Sequence, residues 1–214
     1  MSASGCPSWE CSEGCSELVA FPGSYDPYSA EAQAAGYYIE TEEIYSYLRR
    51  DITLVWIWAL CELRSRHPEI SPLALADMSN SNGVTPGCER GSDYCRHPEG
   101  STHTGNDIDT AYLQTDGENN YQCICGDGTA PCWNGRADEY SDGYFCTTEE
   151  NIVDAAMQGE LMTLIHSTGL LRVVGIDETL VDDLSPDLPR GIAVGYGADG
   201  GWMFHHHHIH WSFN

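Results

Sequence analysis

Two short stretches of this chain alternate polar and apolar residues almost position by position, and each begins in a polar cluster. The first is Ser101-Thr102-His103-Thr104-Gly105-Asn106-Asp107-Ile108-Asp109, running on to Leu113; the second is His205-His206-His207-His208-Ile209-His210, running on to Phe213. A period of two is the mark of a strand with two different faces. It puts Asp107, Asp109, Ala111 and Leu113 on one face of the first strand, with Ile108, Thr110 and Tyr112 on the other. In the second it groups His206, His208, His210 and Ser212 against Ile209, Trp211 and Phe213, which are expected to pack inward. The plain alternative for a histidine run is a purification tag. This run is broken by Ile209 and continues into an amphipathic segment, which a tag would not supply.

The rest of the chain predicts helices and a few more strands. Thr41 followed by Glu42 and Glu43 reads as a helix start, with helical character running, broken near Asp51, to Arg66 before His67-Pro68 ends it. Its expected buried face is Leu54, Ile57, Trp58, Cys61 and Leu63. Thr147-Thr148-Glu149-Glu150 reads as the capping box of a second helix, with Val153, Met157, Leu161 and Leu164 as its apolar stripe and Gly169 as its stop. Short strands are expected over Leu73 to Met78 and Leu171 to Ile176. This order predicts an α+β fold: a small antiparallel sheet flanked by helices, with disulfide-rich loops. Residues 1–38, rich in Ser, Gly, Pro and Cys, read as a segment stapled onto a body over 39–214. A Cys-rich insertion at about 115–146 has little periodicity of its own and is expected to shape a binding rim.

Ten cysteines in 214 residues is a high and even count. Cys88 and Cys95 can close a short loop, and Cys123, Cys125, Cys132 and Cys146 can form two bridges. Cys6, Cys11 and Cys15 become even only by recruiting Cys61. Parity predicts five disulfides and an oxidising compartment, periplasmic or secreted. A structural zinc cluster is the rival, but Cys123-x-Cys125 lacks the gap usual in zinc knuckles.

The formal net charge of −24 excludes nucleic acid as a partner, since phosphates must be met by basic side chains. All nine basic residues are Arg. Without lysine the chain is neither a P-loop NTPase nor a pyridoxal-phosphate enzyme. The longest apolar run, Leu54 to Cys61, is too short to span a bilayer.

The chemistry-bearing residues sit in the two alternating stretches. His103 stands in a glycine-containing turn just before the strand that presents Asp109. A His and a carboxylate leave a zinc ion two ligands short of four; a histidine from the second strand supplies one and water the other, an open arrangement suited to catalysis. A neighbouring unligated His would then move protons or stabilise developing charge. Acidic loop residues Asp127, Asp138 and Asp142 suggest calcium, but lack EF-hand spacing.

Taken together, Leu73-Ala74-Leu75-Ala76-Asp77-Met78-Ser79, the Asn-Gly loop, Ser-x-His-x-Gly-x-Asp-x-Asp and the terminal His-x-His resemble the penicillin-insensitive murein endopeptidases. More widely they resemble the group of lysostaphin-type peptidases, D-Ala-D-Ala peptidases and hedgehog domains. The resemblance spans roughly Thr41 to the C-terminus. It implies that His103, Asp109 and His210 bind Zn2+, that His208 is the catalytic histidine with His205 in support, and that Asp107 backs the ligands. It implies a zinc peptidase acting on peptidoglycan cross-link peptides. One departure stands out: the family pattern has six residues between its first His and the metal-binding Asp, and His103 and Asp109 enclose five, which keeps His97 as an alternative to His103. A non-catalytic extracellular module that retains the metal for structure is the competing reading.

Overall fold

A computed structural model of the chain describes residues 5–84, 104–121, 124, 153–177, 180–192, 194–195 and 207–214. Tyr37 and Tyr38, in the segment expected to be stapled onto the body, form one strand of the main sheet with Ile39, the first residue of that body. This strand, β2 (Tyr37–Ile39), pairs parallel with β4 (Leu73–Ala76). β4 pairs antiparallel with β5 (Asp107–Thr110), and β5 antiparallel with β8 (Ile209–Phe213). β6 (Leu171–Gly175) then pairs antiparallel with β8, and the short β7 (Val194–Gly195) runs parallel to β6 at the far edge. The order β2-β4-β5-β8-β6-β7 makes a mixed six-stranded sheet. A separate antiparallel pair joins β1 (Leu18–Ala20) to β3 (Tyr47–Arg49). The α+β class holds, but the principal sheet is larger than expected and mixed, with a parallel pair at each edge.

The two alternating stretches become β5 and β8, the central pair of the sheet. Their apolar sides, Ile108 and Ile209, Trp211 and Phe213, are buried in the core as alternation demands. Helix α2 (Arg50–Arg66) covers that side, and Trp56 meets Trp211 edge-on with ring centroids 5.0 Å apart.

Helix α2 corrects two expectations. It begins at Arg50, not Thr41, because the chain first makes a 3-10 turn at Glu43–Tyr45 and then β3. The orphan amides of its first turn find acceptors in the N-terminal segment. Arg50 N donates to the Glu17 carbonyl and Asp51 N to the Cys15 carbonyl. Such a tertiary cap has no local sequence signature. The buried face is Ile52, Val55, Trp56, Ala59, Leu60 and Leu63, so only Leu63 of the expected set is buried. The other side is apolar too because it is half-covered: Trp9 lies 6.3 Å from Trp58 between ring centroids, and Cys6 is bridged to Cys61.

Between these elements lies α1 (Ala30–Ala35), capped by Ser29 and closed by Gly36. Helix α3 (Ala155–Ser167) is capped by Asp154, whose side chain accepts from Met157 N; the expected capping box at 147–150 lies outside the described residues. Val153 therefore precedes the helix and bridges to Gln114, while Leu161 and Leu164 are buried as the stripe predicts. Gly169, at φ 74°, turns the chain just after the helix. A short α4 (Val181–Leu184) follows β6.

Two disulfides are described, Cys6–Cys61 and Cys11–Cys15: Cys61 joins the first cysteine group as parity required, and the structure decides which of the three it pairs with. Cys88, Cys95, Cys123, Cys125, Cys132 and Cys146 lie outside the described residues, as do Asp127, Asp138 and Asp142. Among the described residues no helix is long and apolar enough to cross a membrane.

Candidate functional site

The polar face of the β5–β8 pair is built by register. Asp109 stands directly opposite His210, and Asp107 opposite Ser212. Strand alternation sends all four side chains to the side away from α2. They are buried there, Asp107 and Ser212 completely and His210 to 5% exposure. His210 Nδ1 lies 2.9 Å from Asp109 Oδ1, and its Nε2 lies 3.5 Å from Asp107 Oδ1. His208, just before β8, brings Nε2 to 3.7 Å from Asp109 Oδ2. Burial alone would lower the pKa of His210, but its N–H groups donating towards the Asp107 and Asp109 carboxylates, and the charges of those carboxylates, outweigh it and lift it to about 9. A metal ion would compete with that proton for the imidazole.

Asp109, His208 and His210, three of the expected site residues, are thus brought together on one face. His103 and His205, and the alternative His97, lie outside the described residues. Asp109 Oδ1 and His210 Nδ1 are hydrogen-bonded at 2.9 Å, so an ion shared between them would replace that proton and part the two atoms to roughly 3.3 Å, the spacing of tetrahedral zinc ligands. Asp107 flanks the other ring nitrogen, where a carboxylate that orients a ligating histidine belongs. Among the described residues no group of three His, Cys, Asp or Glu side chains is arranged to hold a metal ion, and His103, the expected third ligand, lies outside them.

The turn that feeds β5 is held on both sides. Gly105 adopts φ 94°, and a Cβ there would lie 2.1 Å from Leu18 Cδ2. Its carbonyl accepts from Arg49 N, while the Arg49 side chain bonds Asn106 Oδ1 and the Asn214 carbonyl. One arginine therefore ties the start of β5 to the end of β8.

No known family model and no curated protein matches this chain. The likeness to murein endopeptidases thus rests on its motif residues, and their arrangement in space is a separate observation.

Sequence reasoning missed a second set of groups at this site. Tyr121 approaches His208 and His207 with ring centroids 6.2 and 6.4 Å away. Burial pushes its phenol well above the ordinary range, and the charges of Asp109, Asp77 and Glu40 push it further. Glu40 is itself raised by burial, partly offset by the hydrogen bond it accepts from Tyr38. Asp77 ends β4 in a left-handed turn at φ 42°. Neither Tyr121 nor Glu40 lies in a recognisable motif. Asp77 lies in one, but only its backbone conformation marks it, and that is invisible in sequence.

Proposed function

We propose that this chain is a zinc-dependent peptidase that cleaves peptide bonds in peptidoglycan cross-links, working in a periplasmic or secreted setting. The observation that carries the reading is the direct opposition of Asp109 and His210 on the two central strands, with His208 beside them. Asp109, His210 and, by the motif resemblance, His103 would hold the ion. Zinc bound there would polarise a carbonyl and lower the pKa of a water to ~7. Asp107, 3.5 Å from the far ring nitrogen of His210, would help to orient that ring. His208 would accept a proton from the attacking water and return it to the amine that leaves, with His205, by the motif resemblance, in support. The two disulfides support an oxidising compartment.

The test is incubation of purified, zinc-loaded protein with defined linear and cross-linked muropeptides, with and without a chelator. Chelator-sensitive cleavage is expected. A metal-loaded protein that cleaves none of them would defeat the peptidase reading and favour a non-catalytic extracellular module that keeps the metal for structure.

A further inference from the structure

We propose that the groove between α1, α2 and the Cys6–Cys61 bridge binds a small unbranched monocarboxylate, a fatty-acid-like molecule whose carboxylate pairs with Arg64. The inference does not depend on the peptidase reading. The groove runs along α2, the helix that covers the apolar side of the main sheet, whereas His210 faces the other side. Its volume is about 370 Å3, at the lower end of the ~300–1,000 Å3 of small-molecule sites.

The lining is apolar apart from one cation. Ile57, Cys61 and Arg64 stand at i, i+4 and i+7 on one stripe of α2. At ~1.5 Å per residue that stripe is about 10 Å long, which suits an extended chain better than a compact ring. Pro7, Ala34 and Ala35 face it, and Cys6–Cys61 fixes the N-terminal wall to the helix covalently. The polar groups nearby are already committed. The Ser65 hydroxyl donates to the Glu62 carbonyl and the Tyr37 hydroxyl to the Pro22 carbonyl. Burial, with the charge of Glu31 added, pushes the Tyr37 phenol up to about 12, so that ring stays neutral. Arg64 is thus the charged side chain among the described residues that line the groove.

Arg64 is held in place without being neutralised. Its Nη1 donates to the Ile70 carbonyl at 3.2 Å. Its stem packs over Gly36, where φ is 81° and a Cβ would lie 3.3 Å from Arg64 Cδ. Among the described residues Arg49, Arg50 and Arg66 each pair with a carboxylate, whereas Arg64 has no ion-pair partner and no acceptor at Nε or Nη2. The chain has 33 acidic side chains and nine arginines, so a guanidinium left without an acid is complementary to an anion from outside. The fork of Nε and Nη2 matches the two oxygens of a carboxylate. The apolar stripe then takes the tail out of water, and each methylene buried adds to affinity.

Calorimetric titration of the full chain with octanoate, below its micelle concentration, tests this against octanol, octylammonium and acetate. One equivalent of octanoate is expected to bind, with octanol and octylammonium each at least ~10-fold weaker and acetate undetected. Arg64→Gln should weaken octanoate at least ~10-fold and leave octanol unchanged. Ala34→Phe keeps Arg64 and its bond to Ile70 but narrows the groove from α1, so it should weaken octanoate and octanol alike. It also keeps the proposal testable if Arg64→Gln does not fold, which the thermal midpoint would show. Octanoate that fails to bind, or that binds in many equivalents, would overturn the proposal. So would octanol binding as tightly as octanoate, or an unchanged octanoate affinity in either variant that folds.

Discussion

At the scale of single residues, the site depends on a few side chains that do different jobs. On the proposed function His210→Ala would remove a ligand, and it is expected to abolish stoichiometric zinc, measured by metal analysis after dialysis. His208→Ala should keep the zinc and lose at least ~100-fold in kcat, because the role proposed for it is proton movement. A variant of His210 that retains a full zinc equivalent would place the metal elsewhere. Gly105→Val puts a branched side chain at φ 94° and against Leu18, so it should lower stability by about 2–4 kcal/mol in urea denaturation and weaken zinc binding. Asp109 and His210 were legible because a period of two assigns faces without reference to anything distant. Tyr121 was not, since Asn119 and Ser71, far apart in the chain, decide where that loop lies.

At the scale of elements, α2 and α3 are joined by a polar clasp at one end. Glu160 of α3 accepts from Arg66 at 2.7 Å and lies 2.8 Å from His67 Nε2. Burial pushes the Glu160 carboxyl up, but the hydrogen bonds from His67 and Arg66 prevail and hold it below its usual 4.5. A depressed carboxyl adds stability that is fully present above its unfolded-state pKa and is lost as pH falls through the folded value. Glu160→Gln should therefore cost up to about 1 kcal/mol at neutral pH, the scale of a partly exposed ion pair. The gap between variant and wild type should close below pH 4.5, which chemical denaturation across that range would measure. A gap that persists at pH 3 would show that Glu160 acts by packing rather than by charge. The same helices show where element boundaries escape sequence reading. α2 starts where the Cys15 and Glu17 carbonyls receive its first amides, not where Thr41 offers a side chain.

At the scale of the molecule, the N-terminal segment is part of the fold. It caps α2, covers the outer side of that helix, and gives β2 to the sheet. Cys6–Cys61 makes the attachment covalent across 55 residues, whereas Cys11–Cys15 spans only four. Loop-closure entropy then assigns the long bridge about 4 kcal/mol and the short one about 2. A Cys6→Ser, Cys61→Ser double variant should lose about 2–4 kcal/mol in denaturant titration and keep its zinc stoichiometry; a loss of zinc would mean that the segment also shapes the site. The sequence by itself determined the polar and apolar faces of β5 and β8, the need for Cys61 to pair within the first cysteine group, and the end of α2 at His67. Each follows from neighbours in the chain: side-chain alternation, parity, and a proline that stops a helix. Only the tertiary structure decided that β5 and β8 are the central pair, that α2 begins at Arg50 and buries Trp56 instead of Trp58, and that Tyr121 faces His208. Those outcomes depend on contacts between segments far apart in the chain, where local periodicity carries no information.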